Sequence, residues 1–364
     1  MAYYTGKLNV NELYKSLTNM IINQDIFSDN IGNVNNSLLN AAMEDVGQYG
    51  DTIVKYFTDI LQTNDIDMNK LLEESANLLS TDVGPDPVTE AFTISKLKQI
   101  RLTTLPFLTK RAFATEGVYS QFNDVMKQNI IDTKNVSLNA DYNAFIGTAG
   151  SGIHPDLDTI GYGQKVLCQL SADTPHALSI AKKIADIITE LTEPSRDWND
   201  LKFMRSFKKE DIIIVWSADF LNSITKEDLP ILFHNDIFDD LTKYVLPGKY
   251  FGDINDGGDL STANTDRALF ENTFVDKDNP QKKYHLLAGE LLPANINYEG
   301  STTYKANSLY VCKIFIKLPP VYTSLGEMTE FYNPRSLSTN YYYTYAYSEF
   351  KTLLGYPCIT VYTD

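Results

Sequence analysis

The sequence predicts an α+β protein, and three stretches carry that prediction. "DTPHALSIAKKIADIITELTEPS" sets Ala177, Ile180, Ala181, Ile184, Ile187, Ile188 and Leu191 at helical spacing. "DIIIVWSADFLNSI" (211–224) is a continuous apolar run rich in β-branched residues, as a buried strand requires. In "NPRSLSTNYYYTYAYSEF" (333–350) the period is two: Tyr341, Tyr343, Tyr345 and Tyr347 fall on one strand face, and Tyr342, Thr344, Ala346 and Ser348 on the other. A tyrosine row with hydroxyl tips is expected to pack against another layer or another subunit.

The remaining elements follow in chain order. Residues 1–35 are polar and asparagine-rich around one apolar knot, Met20-Ile21-Ile22, and read as an arm that gains order by lying on something else. "GQYGDTIVKYFTDI" (47–60) reads as a strand entered from a glycine turn, although its apolar positions fit neither period cleanly. "MNKLLEESANLLS" (68–80) reads as a short amphipathic helix. After the turn signal Gly84-Pro85-Asp86-Pro87, "VTEAFTISKLKQIRLTTL" alternates as one long exposed strand does. Strand, helix, proline turn and return strand together predict a protruding hairpin. The long helix has Thr174 as N-cap, Pro175 at its first position and Pro194 as its stop. "TKEDLPILFHND" is a short helix with an acidic first turn, residues 252–266 are a flexible loop, and "NSLYVCKIFIKL" (307–318) is a further strand. Pro319-Pro320 marks a boundary.

The composition excludes several functions. The 364 residues carry a net charge of −16, and the basic clusters Lys182-Lys183, Lys208-Lys209 and Lys282-Lys283 are short and flanked by acids. Such a chain repels nucleic acid, so DNA near it is contained rather than read. The three cysteines are far apart and imply buried thiols in a reducing compartment. The N-terminus has no signal-peptide core, and no stretch approaches 18 continuous apolar residues, so neither export nor a membrane is expected.

Chemistry is sparse. His154, Asp156 and Asp158 in "HPDLD" have metal-ligand spacing, but a proline-broken loop explains them equally well. "GTAGSG" (147–152) continues as Ile-His-Pro, not Gly-Lys-Ser/Thr, so it is no phosphate loop. "DINDGGD" (253–259) departs from calcium-loop spacing and lacks the closing glutamate, which leaves at most a loosely held surface cation. No nucleophile, base and oxyanion donors assemble, so neither enzyme activity nor a cofactor is expected.

Three stretches carry a resemblance: "SRDWNDL" (195–201) after the long helix, the strand-helix pair "DIIIVWSADFLNSI" and "TKEDLPILF", and "NPRSLSTNYYYTYAYSEF" before "PCITVYT". In this order they resemble the major capsid (head) proteins of small short-tailed bacteriophages, the picovirus-like podophages. The resemblance implies the Hong Kong 97 (Johnson) capsid fold. Its parts would be an N-terminal arm at 1–35, an extended loop at 36–106, a peripheral domain at 107–211 and 319–364 with spine helix 175–193, and an axial domain at 212–318. It further implies a subunit that closes as pentamers and hexamers around double-stranded DNA. Portal, scaffolding and head-decoration or fibre proteins are the implied partners. The protein would be made in the bacterial cytoplasm and end in the virion.

The matching residues are Arg196, Asp197 and Trp198 in one motif and Asn333, Pro334, Arg335 and Tyr341–Tyr343 in the other. Arg196 or Arg335 is expected to form a bidentate pair with a carboxylate, because a planar fork fixes angle as well as distance. Trp198 is expected to cap the spine helix, and the tyrosine row to buttress the peripheral domain or meet a neighbour. Two alternatives stand beside this reading: an encapsulin-like cellular compartment shell, and a cytosolic metal-dependent hydrolase resting on His154, Asp156 and Asp158.

Overall fold

The structure, a computed structural model, describes residues 37–45, 47–61, 63, 84–105, 116–150, 163–170, 176–223, 241–255, 265–276, 279, 281–293, 303–324 and 326–364. The expected arm at 1–35, the expected helices at 68–80 and 225–236, the Thr174–Pro175 cap, most of the 252–266 loop and the His154 group lie outside the described residues. The chain is α+β and packs as two units. The first comprises Met1–Asp51, Ile94–Tyr142 and Val321–Glu349; the second comprises Thr52–Thr93, Asn143–Pro320 and Phe350–Asp364.

The first unit is built on the tyrosine strand, Ser338–Tyr347. It pairs antiparallel with Glu327–Asn333 on one edge and with Lys96–Thr104 on the other, in a register that sets Tyr343 opposite Met328 and Ile100. A parallel pair, Met43–Asp45 with Val321–Thr323, extends the same sheet. The turn joining 327–333 to 338–347 holds Leu337 at φ 49°, a left-handed conformation that costs a branched residue strain.

The longest helix among the described residues, Glu116–Thr148, was not legible in the sequence. From Ser137 to Thr148 only Asn139 is even partly exposed, so its C-terminal third is covered on all sides. Such a helix shows no apolar stripe, and period-based reading has nothing to detect. Thr148 Oγ1 donates back to the Ala144 carbonyl at 2.8 Å, and Gly150 closes the end at φ +71°, which a residue without Cβ adopts freely.

In the second unit, strands Gln164–Cys168, Cys358–Thr363, Tyr310–Phe315, Ile213–Ser217 and Thr242–Leu246 form one sheet in that order. The helix expected near 175–193 runs His176–Thr192 and buries the seven residues named from its spacing. They pack on Ile214, Trp216, Cys312, Ile314, Ile359 and Val361. Each of the buried isoleucines and Leu191 contributes about 1.5–3 kcal/mol, and the two alanines less. Cys168, Cys312 and Cys358 are buried free thiols, held above the usual thiol range by desolvation.

One buried group is unusual. Lys313, on the central strand, is fully buried and donates to the Ala149 carbonyl just past the long helix. A cation there offsets the negative helix end, which has no basic residue of its own in its last turn. Burial pulls Lys313 down to about 8, against a small opposing pull from Cys358.

Two strand expectations change. The alternating run 88–105 is two strands, Val88–Thr93 and Lys96–Thr104. The buried residues keep one parity, with Glu90, Phe92, Ile94 and Thr104 inside, but the hydrogen-bond partner switches. Val88–Thr93 pairs with Thr52–Phe57, and Lys96–Thr104 with Ser338–Tyr347. The apolar run 211–224 is strand only over Ile213–Ser217 and continues as helix Ala218–Ser223. Phe220 and Leu221 reach the same core from the helix, so the run stays apolar although its period changes.

Candidate assembly surfaces

The tyrosine row faces inward, onto its own chain. Tyr341, Tyr345 and Tyr347 are buried and Tyr343 half-buried. Lys127 Nζ stands 5.5 Å from the Tyr341 ring, and Lys134 Nζ 5.9 and 5.6 Å from those of Tyr343 and Tyr345. Asp141, fully buried, accepts from Lys98 at 3.2 Å and from the Tyr347 hydroxyl at 3.5 Å. Lys127, Lys134 and Asp141 are spaced seven apart on the long helix, so they form one stripe. Fourteen helical residues rise about 21 Å, and six strand residues about 20 Å, so stripe and ladder stay in step. The packing layer expected for the ladder is therefore this helix. Desolvation first and the Asp141 charge second push the Tyr347 phenol well up.

On the outward face of the same sheet, Thr103 donates to Asn340 at 2.7 Å and Gln99 to Thr344 at 3.4 Å, with Tyr342 half-exposed between them. Asn333 Oδ1 accepts from the Arg335 backbone N–H at 3.1 Å, and Arg335 is exposed in the turn that Pro334 begins.

The second set of expected residues meets the foot of the 52–93 hairpin, within the second unit. Arg196 Nη1 donates to Asp59 Oδ2 at 2.5 Å and to the Lys202 carbonyl at 2.8 Å. Asp59 Oδ1 accepts the backbone N–H groups of Met204 and Ile60, both at 2.9 Å. One guanidinium nitrogen thus bridges a carboxylate and a carbonyl, and the bidentate fork expected for Arg196 is absent because the second carboxyl oxygen is occupied by backbone. The Met204 N–H, more than Arg196, holds the Asp59 carboxyl below its usual range. Asp197 exchanges bonds with Ser195 and its carbonyl accepts from Gln164, while half-buried Trp198 packs on the core beneath the 176–192 helix.

Two further residues tie the foot down, and sequence reading gave neither a role. Phe57 is buried edge-on to Tyr356 at 6.3 Å, and the backbone at Gly355 comes so close that an added Cβ would lie 2.5 Å from the Phe57 ring. Glu90, 5% exposed, accepts the Leu354 N–H at 3.3 Å through one oxygen while its other oxygen is buried without a hydrogen-bond partner. Desolvation raises the Glu90 carboxyl. An acid in the middle of an exposed-looking strand carries no sequence signal that its side points inward.

The model of the Phi29-like phage major capsid protein family matches residues 3–354. The chain belongs to that family. The capsid protein is similar in fold to a chain in the capsid structure of Staphylococcus phage Andhra, with TM-score 0.56, 14% identity and coverage of 88% of this chain and 83% of that one. It is likewise similar to a chain in the structure of the head fiber and inner core protein gp22 of bacteriophage P68, with TM-score 0.55, 16% identity and coverage of 90% and 84%. No curated protein sequence matches it. The Hong Kong 97-type α+β fold expected from the sequence is the fold of the capsid protein. It is a structural shell subunit that assembles with copies of itself and resides in the virion, and neither the encapsulin-like nor the hydrolase alternative finds support. Among the described residues no helix is long and apolar enough to cross a membrane.

Among the described residues, exposed apolar side chains are scattered over the capsid protein, Leu97, Val245 and Leu309 among them, and two hairpins each carry a group of them. Val54, Tyr56, Ile60 and Leu61 are 43%, 70%, 57% and 70% exposed on and just beyond one arm of the first hairpin. Phe331, Tyr332 and Leu337 are 56%, 52% and 50% exposed on the edge strand Glu327–Asn333 and its turn. An exposed edge with apolar side chains is a liability in a monomer and an asset in a tiled shell.

Proposed function

We propose that the subunit closes as pentamers and hexamers into the head that encloses the double-stranded DNA of a tailed phage. It would be made in the bacterial cytoplasm and engage portal, scaffolding and head-decoration or fibre proteins there. The observation that carries the reading is the pair of exposed apolar groups, one on the 52–93 hairpin with its anchored foot and one on the edge strand 327–333 and its turn. Many moderate contacts of this kind, weak singly, close a container when every copy makes them at once. The net charge of −16 suits a wall that must not hold packaged DNA too tightly.

In this reading the hairpin between Thr52 and Thr93 serves as the extended loop, the first unit as the peripheral domain and the second as the axial domain. The 33-residue helix Glu116–Thr148 is a better spine than 175–193, because it carries the stripe that the tyrosine strand packs on. Negative-stain microscopy of the purified protein tests the proposal. Closed particles are expected, and Phe331→Asp with Tyr332→Asp is expected to abolish them while leaving the subunit's Tm within a degree or so of wild type. Compact monomers from the wild type, both alone at high concentration and when co-produced with the other head proteins, would end it.

A further inference from the structure

A cleft of 680 Å³ opens beside the hairpin foot, wholly within the second unit. Arg205, Lys208 and Lys317 line it, against one carboxylate, Asp211. Lys208 and Lys317 are exposed and make no ion pair among the described residues. Arg205 spends Nη2 on the Thr58 carbonyl at 3.1 Å, and its Nε is buried with no hydrogen-bond partner. The wall is aromatic: the rings of Phe207 and Tyr356 lie 6.0 Å apart, and Tyr56 is 70% exposed. Three cations without carboxylate partners beside an aromatic wall suit a carboxylate carried next to an apolar side chain.

We infer that this cleft takes an acidic segment of a second copy of this chain, which rests on the shell reading above. The chain holds 47 acidic residues against 31 basic ones, so a neighbouring copy in a closed shell presents an excess of carboxylates at high local concentration. Nucleic acid fits less well. A duplex carries about one charge per 1.7 Å and calls for a long basic stripe, whereas this cleft has three cations with an acid among them. A concave site of this volume also encloses side chains rather than a phosphate backbone.

Zero-length carbodiimide coupling, which joins a lysine amine to a carboxylate in contact, tests the inference on DNA-free particles assembled from mixed ¹⁴N- and ¹⁵N-labelled protein. Particle formation is read first by microscopy, so a failure of the shell reading is seen separately. Isotope-mixed peptides joining Lys208 or Lys317 to an Asp or Glu are expected in particles and not in dilute subunits. Coupling confined to single chains overturns the inference, and so does protection of these lysines from acetylation only when DNA fills the shell. A second arm uses Lys208→Glu with Lys317→Glu. Unchanged subunit Tm with loss of particles at low salt supports the contact; particle yield equal to wild type at every salt concentration refutes it.

Discussion

The tyrosine ladder and the hairpin foot hold their segments by opposite means. The ladder is a long, regular seam of rings and lysine stems, in which Tyr341, Tyr343, Tyr345 and Tyr347 meet one helical stripe over about 20 Å. The foot is a short knot of polar groups around Asp59 and Glu90, with one aromatic contact at Phe57. Area burial dominates the first, with the Asp141 carboxylate at one end, while the second depends on two carboxyls with opposite perturbations. In the assembly proposed above there is reason to keep these apart: the wall would stay rigid while the hairpin proposed to reach a neighbour keeps a lower local stability.

Three changes test that contrast, from the largest expected effect to the smallest. Tyr345→Ala removes a ring that is 3% exposed and is expected to destabilise the subunit by about 3–5 kcal/mol, read as loss of Tm or denaturant midpoint. An unchanged midpoint would mean the seam is not the packed layer described.

Glu90→Gln is expected to act locally and with pH. The folded carboxyl is raised, so it binds its proton more tightly folded than unfolded, and the stability it supports falls as pH rises above the ordinary glutamate range. Glutamine keeps the acceptor for the Leu354 N–H and removes the charge. Protease cleavage within the 52–93 hairpin is expected to slow at pH 7 and to match wild type near pH 4. Equal cleavage at both values would show that Glu90 is not strained at the foot.

The smallest effect belongs to Lys134→Gln, which leaves the rings in place and removes one cation from two of them. About 0.5–1 kcal/mol per ring is expected, with the hairpin cleavage rate unaffected. A change in hairpin cleavage would couple the two regions and break the comparison.

Much of this was readable in the residues, and the limits have physical causes. The 176–192 helix was legible because one face is buried and the other wet, so its seven apolar positions repeat at 3.6. The longer helix was not, because burial on all sides of its C-terminal third erases the stripe there. At the candidate site, Arg196 and Trp198 stood out by residue type, but Asp59 and Glu90, which decide what the foot does, look like ordinary surface acids in the sequence.

The amino-acid sequence by itself determined which residues share a face: the odd-numbered tyrosines of 341–347 and the apolar row of the 176–192 helix. Those follow from the repeat distance of each backbone form, a local property. Only the tertiary structure decided the partners: that the strand changes neighbours at Ile94, that the tyrosines meet lysines of a helix two hundred residues earlier, and that a backbone N–H takes the carboxyl oxygen a guanidinium fork would have needed. Pairing depends on which distant segments bury each other's surface, and no local period encodes that choice.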